Sequence, residues 1–202
     1  AITVAGTAAV GVDLSGRYVS GGVVSGFELD LAGEVDDIGG LRLEGELGSP
    51  GLDVAPLSLD ESVTVTGPLS GTVRALTINT LTVGSLVDGG LIEATGSTGG
   101  NELVSLTVTG DVTGGRVDIE DAGTIEITGA LSGGVICADT SLGTVTVGGD
   151  FAAPYADLAE PTLKAGDVIG AVEIGGDATG WIRAEGPGQE DAGADFTAGV
   201  AV

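Results

Sequence analysis

Histidine is absent from this 202-residue chain, cysteine occurs once, and Lys plus Arg number only six. Without imidazole the chain lacks the usual general base and the commonest zinc ligand, which closes off much ordinary catalysis. The single Cys137 excludes an internal disulfide framework. Six cations against 30 Asp plus Glu leave a formal charge of −24, and self-repulsion of that size holds nucleic acid and anionic membranes away. Aromatic residues make up 3% of the chain. No uninterrupted apolar run reaches the roughly 18 residues that a membrane-spanning helix needs, so membrane insertion is not expected.

What is present is glycine, 39 residues of it, in a chain that is 42% apolar and built from small β-branched and aliphatic side chains. Such a composition describes strands punctuated by turns and is unlike a helical bundle. The acidity also suits a salty habitat or divalent-cation sites, because clustered carboxylates bind hard cations through oxygen. Position 1 is Ala rather than Met, and the chain reads as processed or excised from a longer precursor.

Comparison of the chain with itself exposes a repeat. From Leu106 it runs LTVTGDVTGGRVDIEDAG, then TIEITGALSGGVICADTSLG, then TVTVGGDF, which makes Val108, Ile127 and Val147 equivalent at steps of 19 and 20 residues. Gly110, Gly129 and Gly149 follow the same steps, as do Val112, Leu131 and Phe151. VTGPLSGTVRA, VGSLVDGGLIEA and IGGDATGWIRA extend the register, so six coils begin near residues 65, 83, 108, 127, 147 and 174. The two longest intervals put loops near 95–102 and 152–166. Residues 1–62 read as degenerate early coils or a small separate sheet, residues 63–185 as the regular region, and residues 186–202 as a C-terminal tail or terminal strand.

Triplets such as Thr107-Val108-Thr109 alternate polar and apolar, so a strand sends the middle residue one way and its neighbours the other. One repeat alone cannot bury its apolar face; stacking repeat on repeat does so. The expected fold is therefore all-β, a single-stranded parallel β-helix, or β-solenoid, with coils of about 18–27 residues. A strict hexapeptide period, which would favour the left-handed form, is missing, and the expected hand is right. Val108, Val112, Val117, Ile119, Ile125, Ile127, Leu131, Ile136, Ala138, Leu142, Val145 and Val147 are expected to point inward. Gly110 and Gly129 are expected at corners, with positive φ.

VTVGGDF and VEIGGDATG resemble Gly-rich β-helical repeat segments of large bacterial surface and secreted proteins, in which VxVGGDxxG-like units recur. The resemblance covers about residues 63–185, and it implies a parallel β-helix with a role at the cell surface.

Several residue sets could carry chemistry. Arg74, Glu93, Asp118, Cys137 and Arg183 share one repeat position and face outward as a charge ladder worth tenths of a kcal/mol per pair. A polysaccharide-cleaving groove is the sharper reading of that ladder, weakened by the missing His and by Lys164 being the sole lysine. No catalytic residue is assigned. Asp111, Asp150 and Asp177 follow corner glycines, where Asp normally caps backbone N–H groups. Calcium held by Asp150 and Asp177 is the alternative, although the GGxGxDxUx calcium repeat is not present. Thr64, Thr82, Thr107 and Thr146 form an outward ladder of the kind found on flat antifreeze solenoids, broken by Glu126 and Glu173. Cys137 is an outward thiol or a small core residue. Trp181 and Tyr155 are isolated and make no stacking platform.

A β-solenoid without caps exposes backbone and core at both ends. Ile2 and Val4 at one end, with Phe196, Val200 and Val202 at the other, are candidate assembly residues for head-to-tail stacking with further copies of the chain. The expected function is thus a non-enzymatic, extracellular or cell-surface structural protein that forms a fibre or surface layer. An adhesive or spacer segment of a larger surface protein, touching a surface glycan, is the second reading, and a polysaccharide-degrading enzyme the third.

Overall fold

The computed structural model describes residues 2–5, 23–24, 29–32, 41–43, 46–48, 51–53, 58–96, 101–152, 163–180 and 182–184. Sixteen strands lie within them and no helix does. In chain order these are β1 (Ile2–Ala5), β2 (Val23–Val24), β3 (Leu29–Ala32), β4 (Leu41–Leu43), β5 (Glu46–Leu47), β6 (Gly51–Asp53), β7 (Leu59–Leu69) and β8 (Thr72–Ala75). They continue with β9 (Ile78–Leu86), β10 (Leu91–Ala94), β11 (Leu103–Val108), β12 (Arg116–Ile127), β13 (Val135–Val147), β14 (Leu163–Ala165), β15 (Val168–Ile174) and β16 (Ile182–Ala184).

Fourteen of the described strands join one parallel sheet, and β1 pairs with β3 in a separate two-stranded sheet. Within residues 1–62, β2, β4, β5 and β6 join the large sheet while β1 and β3 do not. Long strands serve two neighbours at once. The first part of β12 pairs with β10 and its second part with β11; likewise β13 pairs first with β14 and then with β15.

The register sets equivalent residues of successive repeats side by side. Leu43, Val65, Val83, Val108, Ile127, Val147 and Ile174 form one continuous column, which includes every repeat start read from the sequence. A second runs Leu41, Val63, Leu81, Leu106, Ile125, Val145, Val172. A third runs Leu52, Val73, Ile92, Val117, Ile136, Leu163, Ile182. Isolated bridges link Leu86, Val112, Leu131, Phe151 and Ala178. All twelve expected inward residues are buried. Each large aliphatic side chain so placed contributes roughly 1.5–3 kcal/mol of transfer free energy, offset in part by ordering the chain.

Between strands, backbone bonds still run from repeat to repeat. The Thr128 N–H donates to the Val108 carbonyl at 2.9 Å and the Gly148 N–H to that of Ile127 at 2.8 Å. This close passage of backbone over backbone explains the glycines. Positive φ occurs at Gly51, Gly89 and Gly115, and not at Gly110 or Gly129 as the sequence suggested. Gly110 is required for space instead: a Cβ there would lie 2.7 Å from the Gly84 carbonyl oxygen, and one on Gly129 would lie 2.7 Å from that of Gly110.

One further difference concerns 152–166, read as a loop. Within it, β14 occupies Leu163–Ala165 and pairs with both β13 and β16. The repeat beginning at Val147 is long because its additional residues fall between Phe151 and Leu163, ahead of an ordinary strand.

Candidate functional site

The outward charge ladder forms as a register column and gains two members. It runs Asp53, Arg74, Glu93, Asp118, Cys137, Lys164, Arg183. Lys164 fills the position between Cys137 and Arg183, in the repeat beginning at Val147, for which the sequence alignment offers no ladder member. The omission follows from β14 having been taken for loop. Arg74 forms ion pairs with Glu93, Nε to Oε2 at 3.1 Å, and with Asp53 at 3.8 Å, and Arg116 Nε donates to Asp118 two residues along the same strand at 3.1 Å. The Arg74 and Glu93 side chains are 42% and 31% exposed, so water screens the pair. Arg74→Met is expected to change stability by less than about 1 kcal/mol in urea denaturation. Cys137 occupies the outward register position yet is only 7% exposed, so the open outward thiol of the sequence reading is not what the fold provides.

Aspartates at the turns bond to the neighbouring repeat. Asp111 Oδ1 accepts from the Ala130 N–H at 2.8 Å, and Asp150 Oδ1 accepts from the Asp177 N–H at 2.9 Å. In each case the acceptor caps the backbone of its own equivalent one repeat on, which is the turn chemistry expected of Asp. Asp150 and Asp177 are thus brought together, with one Asp150 oxygen engaged by backbone.

The hydroxyl ladder is wider than its first reading. Thr64, Thr82, Thr107, Glu126, Thr146 and Glu173 share one column, and Ser62, Thr80, Ser105, Thr124, Thr144 and Ala171 form a parallel one two residues away on the same face. The second column was legible in triplets such as Thr80-Leu81-Thr82, whose outer residues must share a face.

Sequence reasoning missed the one buried acid among the described residues. Glu102, directly before β11, is 1% exposed. Its N–H donates to the Asp121 carbonyl at 3.1 Å, its carbonyl accepts from the Ile78 N–H at 2.6 Å, and its side-chain Oε2 accepts from the Glu120 N–H at 3.1 Å. Oε1 is buried with no hydrogen-bond partner. Burial foremost pushes the Glu102 carboxyl up to about 7; the Glu120 carboxylate, as a like charge and as a hydrogen-bond partner of the protonated form, and the Asp121 charge add to that rise, against the lowering effect of the Glu120 N–H. Glu102 lines an open groove of about 400 Å³ with Glu93, Arg116, Asp118, Glu120 and Asp139. The only signal in the sequence was an acid immediately ahead of an apolar strand.

Among the described residues no group of three or more His, Cys, Asp or Glu is placed to hold a metal ion, and no helix is long and apolar enough to cross a membrane. Ile2 and Val4 lie in β1, whose pairing with β3 is known from the backbone. Phe196, Val200, Val202, Tyr155 and Trp181 lie outside the described residues. In comparisons with known proteins, no family model, no curated protein and no solved structure matches the chain.

Proposed function

We propose that the chain winds as a right-handed β-solenoid, one coil per sequence repeat, and serves outside the cell as a non-enzymatic structural element that stacks end to end with further copies. The observation that carries the reading is the unbroken register of aliphatic columns from β4 to β15, each residue paired with its own equivalent in the next repeat. Parallel pairing of successive segments requires the chain to cross over and return between them, and such crossovers are overwhelmingly right-handed. The residues lining the columns are chosen for packing, and the outward ladders are solvated or paired on the surface.

Assembly is supported by the sheet edge. Among the described residues β15 pairs only with β13 and β16 only with β14, which leaves backbone groups able to accept another parallel strand. A surface location is supported by the acidic, histidine-free composition and by the VTVGGDF-type units. Electron microscopy and light scattering of the purified chain test the proposal. Filaments that lengthen with concentration are expected. Rods of constant length would favour the spacer reading, and a compact monomer at every concentration would remove both. Repeating the measurement with a calcium chelator tests whether Asp150 and Asp177 contribute a cation site; unchanged assembly and stability would exclude one.

A further inference from the structure

Glu102 sits where the repeat beginning at Val83 carries its additional residues. Before them, the Thr95 and Gly96 N–H groups donate to the Ala75 and Leu76 carbonyls at 3.0 and 2.8 Å, in the ordinary repeat-to-repeat fashion. After them, Glu102 ties together three repeats, through Ile78 on one side and Asp121 and Glu120 on the other. Its side chain supplies the contact to the Glu120 N–H that links the start of β11 to the bend of β12, where the β12–β13 register shifts between Ile119 and Asp121.

Only one of its two carboxyl oxygens is satisfied. Oε1 is buried without a partner while the residue as a whole is 1% exposed. An ionised carboxylate in that position leaves a charged oxygen removed from water and unbonded, which is costly; a neutral carboxyl avoids the charge and keeps Oε2 as acceptor. The surroundings favour the neutral form. Glu120 and Asp121 of β12 act on Glu102 as like charges. Glu93 of β10, Asp118 of β12 and Asp139 of β13 line the same groove, in which Arg116 donates to Asp118. From β9 the contact is the backbone of Ile78.

We propose that Glu102 is a proton-operated latch: neutral, it holds the corner where β11 meets β12 closed, and on ionising it loosens that corner. The latch is a property of one chain and stands whether or not copies assemble.

The direction with pH follows from linkage. Closing the corner raises the Glu102 carboxyl from its ordinary 4.5 to about 7, so the closed form binds the proton more tightly than the open one. Its contribution to closure is complete below about pH 4.5, declines as pH rises, and is lost once pH passes about 7. Over that window the opening equilibrium of the corner rises on the order of 100-fold, and it is flat above.

Two measurements on the intact chain test this. The first is a carbon-13 NMR titration of the Glu102 carboxyl, expected to have its midpoint near 7. The second is hydrogen exchange of the Glu120 amide relative to that of Gly148, whose N–H is held by Ile127 elsewhere in the structure. The relative opening is expected to rise between about pH 4.5 and 7 in the wild-type chain and to be independent of pH in Glu102→Gln, which keeps an oxygen for the Glu120 N–H and carries no charge. A midpoint near 4.5, or the same pH profile in Glu102→Gln, would overturn the latch. Should the variant fail to fold, the wild-type titration decides alone.

Discussion

Gly143→Val is expected to abolish cooperative folding. Gly143 lies within β13 between Leu142 and Thr144, and a Cβ built on it would lie well inside contact distance of the Gly123 carbonyl oxygen, with the Ala122 oxygen 3.2 Å away. Both obstacles are backbone of the adjacent repeat, held by the Ala122–Leu142 and Thr124–Thr144 pairs on either side. Nothing flexible can give way, so the two repeats must separate and their shared columns open. The expected loss is about 3 kcal/mol or more, read as a fall in the midpoint of urea unfolding or as failure to fold. Gly123 and Gly170 are confined in the same way by the Val104 and Gly143 carbonyl oxygens at 2.5 Å, so Val at either is expected to act alike. The control is Thr144→Val, at a half-buried position, which is expected to change stability by less than about 1 kcal/mol.

Phe151→Ala is the second large effect, at about 3–5 kcal/mol. Phe151 is 1% exposed and bridges Leu131 and Ala178, with its N–H on the Asp177 carbonyl at 2.8 Å and its carbonyl accepting from the Thr179 and Gly180 N–H groups at 2.7 and 3.0 Å. It stands in a column otherwise made of aliphatic residues. The larger ring is accommodated because Gly180 has no side chain: a Cβ there would strike the ring. Alanine removes the ring and leaves a cavity against Gly180 that the surrounding backbone, fixed by these bonds, cannot fill. Thermal unfolding of Phe151→Leu, Gly180→Ala and the double variant checks the pairing. Gly180→Ala is expected to cost less in the Phe151→Leu background than in the wild type, and equal costs would show that the ring and the glycine are not matched.

The columns were legible in the sequence because each strand segment repeats a β-branched or aliphatic residue between two polar ones, and period two admits only one inward choice. Val108, Ile127 and Val147 could be aligned from that pattern alone. The function of Gly110 was harder to read. A glycine in sequence reports only that a side chain is not tolerated, and a tight φ and a close neighbour leave the same mark. Strand β14 was hidden because Leu163-Lys164-Ala165 is short and follows a stretch containing Pro154 and Pro161, so the long interval looked like one loop. Glu102 was hidden for a related reason. Added residues break the alignment just ahead of it, and nothing local distinguishes a buried acid from the many solvated ones in so acidic a chain.

Ile127 and Val147 are neighbours in the sheet although 20 residues separate them in sequence. Copying residues 128–147 once in tandem would therefore present both flanking segments with the partners they already have, and would extend the stack by one interstrand spacing, about 4.8 Å. In the proposed solenoid, length is therefore adjustable in whole increments by duplication or deletion at the genetic level, with no new interior to invent.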